Sequence, residues 1–138
     1  EDYAAAMEHH YANGPKANWE DAHVSAYATM HSWEDWAETW AHCLHMLDTV
    51  ETADHHGLTV SMDIPTEDPT QYVGIAGSTL ADATEFAKLM HRWCEIVRLA
   101  NELSRSMGQA DVYPFALSLS VKQKLLFIQR VIAASETE

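Results

Sequence analysis

Carboxylates and imidazoles crowd one stretch of this chain, His31 to Gly57, which reads HSWEDWAETWAHCLHMLDTVETADHHG. Glu34 and Glu38 stand at i and i+4, so on a helix they lie about 6 Å apart on one face. Two acids there repel each other, and a bound cation or a base from another element would remove that penalty. His42 and His45 stand at i and i+3, where two imidazoles can share a metal, with Glu38 one turn before His42 as a third donor. Both spacings are common and weak signals, and by spacing alone a solvated acidic helix face is the favoured reading. His9-His10 and His55-His56 sit beside helix ends, where an imidazolium interacts with the last carbonyls. No H-E-x-x-H, G-x-S-x-G, phosphate-binding glycine loop or EF-hand loop is present. On these residues alone no complete catalytic machine is assembled.

The elements that must position these groups are helical. Ser32 and Asp35 form an S-x-x-D capping box that starts a helix, and Gly57 suits its left-handed C′ position. At 100° per residue, Trp33, Ala37, Trp40, Leu44 and Leu47 share one side, with Trp36 at the margin, and are expected to be the core stripe. Glu34, Glu38, Ala41, His45, Asp48 and Thr52 share another, with His31 and His42 beside them.

Residues 2–12 read as a first helix closed by Asn13-Gly14-Pro15. Asn18 is expected to cap a second, Trp19 to Met30, with His23 at the edge of the core. Leu58 to Tyr72 alternates and then carries Pro65 and Pro69, so an extended segment and loop are expected. Ser78 or Thr79 caps a long helix that ends near Met107 at Gly108. Its apolar stripe runs through Leu80, Ala83, Phe86, Ala87, Met90, Trp93, Cys94, Val97 and Leu103. After a loop containing Tyr113-Pro114-Phe115, Ser118 or Ser120 caps a final helix, Val121 to Ala134. The expected fold is all-α, about five helices in a single domain over 1–138.

With 138 residues and 47% apolar composition, the chain has enough material for a real core. Eight basic against 21 acidic residues give a formal charge of −13, which repels phosphate backbones and argues against nucleic acid. No apolar run approaches the roughly 20 residues that span a bilayer, so no membrane partner is expected. Cys43 and Cys94 are the only cysteines and build neither a zinc ribbon nor a redox motif. Reduced thiols fit a cytoplasmic setting. The opening EDYAAAMEHHYANG already reads as helix and does not begin with Met, so a piece of a longer chain is expected.

Two longer phrases are more specific than any of these spacings. HYANGPKANWEDAHVSAYATMHSWEDWAETWAHCLH and NELSRSMGQADVYPFALS resemble the C-terminal part of the bacterial putative zinc-binding metallopeptidase family. The resemblance runs from Asp2 to about Val131 and is weakest over residues 58–78. It implies the helical half of a zincin-like catalytic domain, a Zn2+ cofactor and a peptide or protein substrate. In that family an HExxH helix supplies two zinc ligands and a downstream helix supplies a third from an E-D-x-A-E phrase. That phrase is Glu34-Asp35-Trp36-Ala37-Glu38 here. The resemblance therefore implies Glu34 as the third ligand and Glu38 as the acceptor that orients a ligating histidine. It also implies His31, and more weakly Tyr113 and Arg105, as groups that stabilise an oxyanion or position substrate. The HExxH segment and the family's zinc ribbon are absent from these 138 residues, so the chain alone is expected to be inactive. The competing reading is a non-catalytic acidic helical module that binds a partner protein or a divalent metal.

Overall fold

A computed structural model describes residues 2–114 and 116–136; Phe115 of the Tyr-Pro-Phe loop lies outside them. The described residues form four α-helices and four short 3-10 turns with no strand, an all-α fold as expected. The helices are α1 (Tyr3–Asn13), α2 (Ser32–His55), α3 (Leu80–Ser106) and α4 (Leu119–Ser135). The chain forms two compact units. One comprises residues 1–44 and 115–138, the other residues 45–114, and α2 runs from the first into the second.

Local signals set most of the helix ends. Asp2 caps α1 by accepting from the amides of Ala4 and Ala5. Thr79 and Asp82 complete a reciprocal capping box at the start of α3. Ser118 accepts from the Val121 amide and starts α4. Two helices close alike. Leu58 N–H donates to Ala53 and Gly57 N–H to Asp54, while Gln109 N–H donates to Ser104 and Gly108 N–H to Arg105. Both are Schellman closures, and they need the positive φ of Gly57 (66°) and Gly108 (76°).

The expected helix from Trp19 to Met30 does not form. Asn18 adopts a left-handed conformation without a side-chain cap, and only the turns Trp19–Asp21 and Tyr27–Thr29 appear. Its carbonyls are drawn into tertiary bonds. Asp21 O accepts from the Ser118 hydroxyl, Ala22 O from Lys124 Nζ and Val24 O from the Ala116 amide.

The larger correction concerns α2. Its buried residues are Thr39, His42, Cys43, Met46, Val50 and Ala53. The stripe expected to be core faces outward instead. Trp33 is 69% exposed, Trp36 48% and Leu44 40%, and Trp40 and Leu47 are only partly covered. In the first unit the inner face reaches α4, with Cys43 Sγ 3.8 Å from the Leu125 carbonyl. Burial pushes that thiol up to about 11, and neither Cys43 nor Cys94 is in a disulfide. The core of this unit is Val24, Ala28 and Met30 with Val121, Leu125, Leu126 and Ile128.

In the second unit α3 buries Ala83, Phe86, Ala87, Met90, Trp93 and Ile96, largely as its periodicity predicts. Leu80 and Leu103, at its two ends, are exposed. The loop turn at Pro69–Tyr72 packs on α3, with the Tyr72 ring edge-on to Phe86 at 5.0 Å.

Candidate functional site

The first two turns of α2, with the residue before them, carry three of the residues singled out by the sequence. The His31 carbonyl accepts from the amides of Glu34 and Asp35, each at 3.0 Å. The His31 ring then does the capping expected of Ser32: Nδ1 accepts from the Trp33 amide at 3.1 Å. An accepting Nδ1 puts the proton of the neutral ring on Nε2. Nε2 is buried and makes no hydrogen bond among the described residues. Such an unmade donor costs about 1–3 kcal/mol. Its chemistry is that of an N–H donor with no acceptor among the described residues. Metal ligation through Nε2 would require an imidazolate while Nδ1 accepts from the backbone.

Glu34 is the third residue of α2, where the helix dipole favours a negative charge. Its Oε1 accepts from the Tyr3 hydroxyl at 2.7 Å, a contact between residues 31 positions apart. The Tyr3 ring lies against His31 at 5.3 Å and Trp33 at 5.8 Å. The bond to Glu34, followed by burial and a bond to Tyr27, holds the Tyr3 phenol well above its usual range, so it stays a donor. Glu38 is one turn further on. It accepts from the Ser25 hydroxyl at 2.8 Å, while Ser25 Oγ takes the Ala28 amide at 3.2 Å. His31, Glu34 and Glu38 thus belong to one unit and two successive turns.

Tyr113 and Arg105 belong to the other unit. The Tyr113 hydroxyl meets His45 Nδ1 at 2.7 Å, and its ring stands edge-on to Trp93 at 5.6 Å. Asn101 fixes the backbone there: its Oδ1 accepts from the Val112 and Tyr113 amides at 2.9 and 3.2 Å. Arg105 forks onto Asp111, with Nε to Oδ1 at 2.6 Å and Nη2 to Oδ2 at 3.5 Å. That pair closes the loop after α3 and raises the Arg105 guanidinium further above its usual value, chiefly through the hydrogen bond to Asp111.

The Glu38, His42 and His45 combination is not assembled. His42 is fully buried and His45 is exposed. No group of three His, Cys, Asp or Glu side chains among the described residues is placed to hold a metal. These residues therefore fit zinc only as a contributor: Glu34 offers an anionic oxygen, and the other ligands of a four-coordinate ion must come from elsewhere. Sequence reasoning missed Tyr3, Ser25 and Asn101. Tyr3 and Ser25 lie 31 and 13 positions from the carboxylates they serve, and no local pattern marks such pairs.

A family model described as putative zinc-binding metallo-peptidase matches residues 1–131. An uncharacterised protein of Mycobacterium tuberculosis is 39% identical over 134 residues, covering 95% of this chain and 35% of that protein. An uncharacterised protein of Mycobacterium bovis matches to the same extent. The chain thus spans about a third of the length of the curated relatives it matches. No solved structure matches it significantly.

Proposed function

This chain belongs to the putative zinc-binding metallopeptidase family, and from that premise we propose that it is the helical portion of a zinc-dependent metallopeptidase. In this reading Glu34 is the third zinc ligand, completing a site whose two histidines lie on an HExxH helix outside these 138 residues. The carrying observation is the open outer face of α2. Glu34 is half-buried there, and the flank beside it is apolar and exposed through Trp33, Ala37 and Leu44. A soluble helix does not ordinarily leave such a stripe uncovered, and a ligand-bearing helix needs both an apolar seat and a carboxylate within reach.

Zinc, when bound, polarises the scissile carbonyl and lowers the pKa of a water. This chain's residues do the rest of the local work. Glu34 supplies negative charge from a helix turn fixed by the His31 cap. Glu38, steadied by Ser25, accepts the free N–H of a ligating imidazole. His31 Nε2–H is the donor available to a developing oxyanion. Tyr113, bonded to His45, and Arg105, bound to Asp111, keep within their own unit the substrate-positioning role that the resemblance implies for them. The substrate is a peptide or protein.

Replacing Glu34 by Gln in the full-length protein tests the reading. Zinc retention should be lost while helicity is unchanged; normal zinc content would sink the ligand assignment. The purified 138-residue chain should retain little zinc after dialysis against a weak chelator. One tightly held metal per chain would instead favour the metal-binding module.

The same exposed tryptophans would serve a non-catalytic module that docks a partner protein. Under that second reading Glu34→Gln leaves zinc content unaltered, and Trp33→Ala weakens partner binding.

A further inference from the structure

The Tyr3 side chain has no role in the zinc chemistry described so far, yet its hydroxyl donates a hydrogen bond to the Glu34 carboxylate. We infer that Tyr3 is the positioning residue of Glu34: its hydroxyl holds Oε1 and would leave Oε2 as the oxygen offered to a metal. The inference rests on the reading of Glu34 as a ligand.

Three observations carry it. The 2.7 Å O–H to carboxylate contact is in the strong, charge-assisted class. The Tyr3 ring cannot swing freely, because it is packed edge-on against His31 at 5.3 Å and beside Trp33 at 5.8 Å. Those two residues are themselves tied together by the His31 cap on the Trp33 amide. Cap, aromatic packing and hydroxyl therefore converge on one carboxylate. A glutamate on three rotatable bonds would otherwise lose rotamer freedom when it binds a metal. Holding one oxygen in advance removes part of that cost and disfavours two-oxygen coordination. The gain appears as metal affinity rather than as a new chemical step.

The test compares Tyr3→Phe, Tyr3→Ala and Glu34→Gln in the full-length protein, with zinc itself as the probe in chelator competition. Tyr3→Phe keeps the ring and its two aromatic contacts, so its unfolding midpoint should match the parent. Its zinc dissociation constant should rise about 10–100-fold, the usual effect of losing a group that orients a ligand. Cobalt substitution supplies a readout that packing alone would not move: the visible band of the Tyr3→Phe protein should shift as the second carboxylate oxygen joins the metal. Wild-type zinc affinity in Tyr3→Phe together with weakened affinity in Tyr3→Ala would overturn the inference, because Tyr3 would then be only a packing residue. Wild-type affinity in Glu34→Gln would instead overturn the ligand assignment beneath it.

Discussion

The two long helices treat their large side chains in opposite ways. α3 turns Phe86, Met90 and Trp93 into its unit and leaves charged residues such as Lys88 outside. α2 turns Thr39, Cys43, Met46, Val50 and Ala53 inward and leaves Trp33 and Trp36 outside. Phe127 of α4, 42% exposed, extends that outer aromatic surface, with its ring 6.2 Å from Trp36. An apolar stripe is therefore not yet a core. On α3 it does the work of folding; on α2 the folding work falls to smaller residues, and the tryptophans remain available for another surface.

Substitutions on the two helices probe that contrast. Trp93→Ala should cost about 3–5 kcal/mol in denaturant unfolding. A loss below about 1 kcal/mol would mean that α3 is not the anchoring helix. Met46→Ala, on the inner face of α2, should cost about 2–5 kcal/mol. A neutral result would reverse the faces of α2 again. Lys124 donates to Asp35 at 2.6 Å and to the Ala22 carbonyl at 2.6 Å, joining α4 to both the start of α2 and the loop before it. The pair is partly solvated, so Lys124→Met should lose only about 1 kcal/mol. A larger loss would make it a central tether.

Smaller still is a pH effect at His23. Burial lowers its pKa from the ordinary 6.5, outweighing the opposing pull of Asp35. A depressed folded pKa means that the unfolded chain binds the proton more readily. The stability due to neutral His23 is therefore present above about pH 6.5 and is lost as pH falls through the lower folded value. His23→Gln should flatten the slope of the unfolding midpoint between about pH 7 and 5. An unchanged slope would assign the acid sensitivity to another group. Smallest of all should be Trp33→Ala in this chain, within about 0.5 kcal/mol of the parent. A cost above about 2 kcal/mol would show the tryptophan to be structural and would remove the argument from the open face.

Much of the frame was legible because it is written locally. Thr79 with Asp82, Ser118 before its helix, and Gly57 and Gly108 after theirs are short-range devices whose partners lie within five residues. The Trp19 to Met30 region escaped because its carbonyls answer to donors about a hundred positions away. The site divides in the same manner. Glu34 and Glu38 were visible from one phrase of sequence, whereas Tyr3, Ser25 and the capping ring of His31 were not.

What the sequence determined by itself is the all-α class, the ends of three of the four helices, the acidic balance and the family phrase that singles out Glu34. Periodicity and capping are properties of neighbouring residues, and neighbours are what a sequence records. Only the tertiary structure decided which stripe of α2 is buried and which groups reach its carboxylates. Two apolar stripes on one helix have the same period, and the choice between them depends on which partners the distant parts of the chain bring against them. The inner stripe meets such partners, as Cys43 meets the Leu125 carbonyl 82 positions on, and the tryptophans are left facing out.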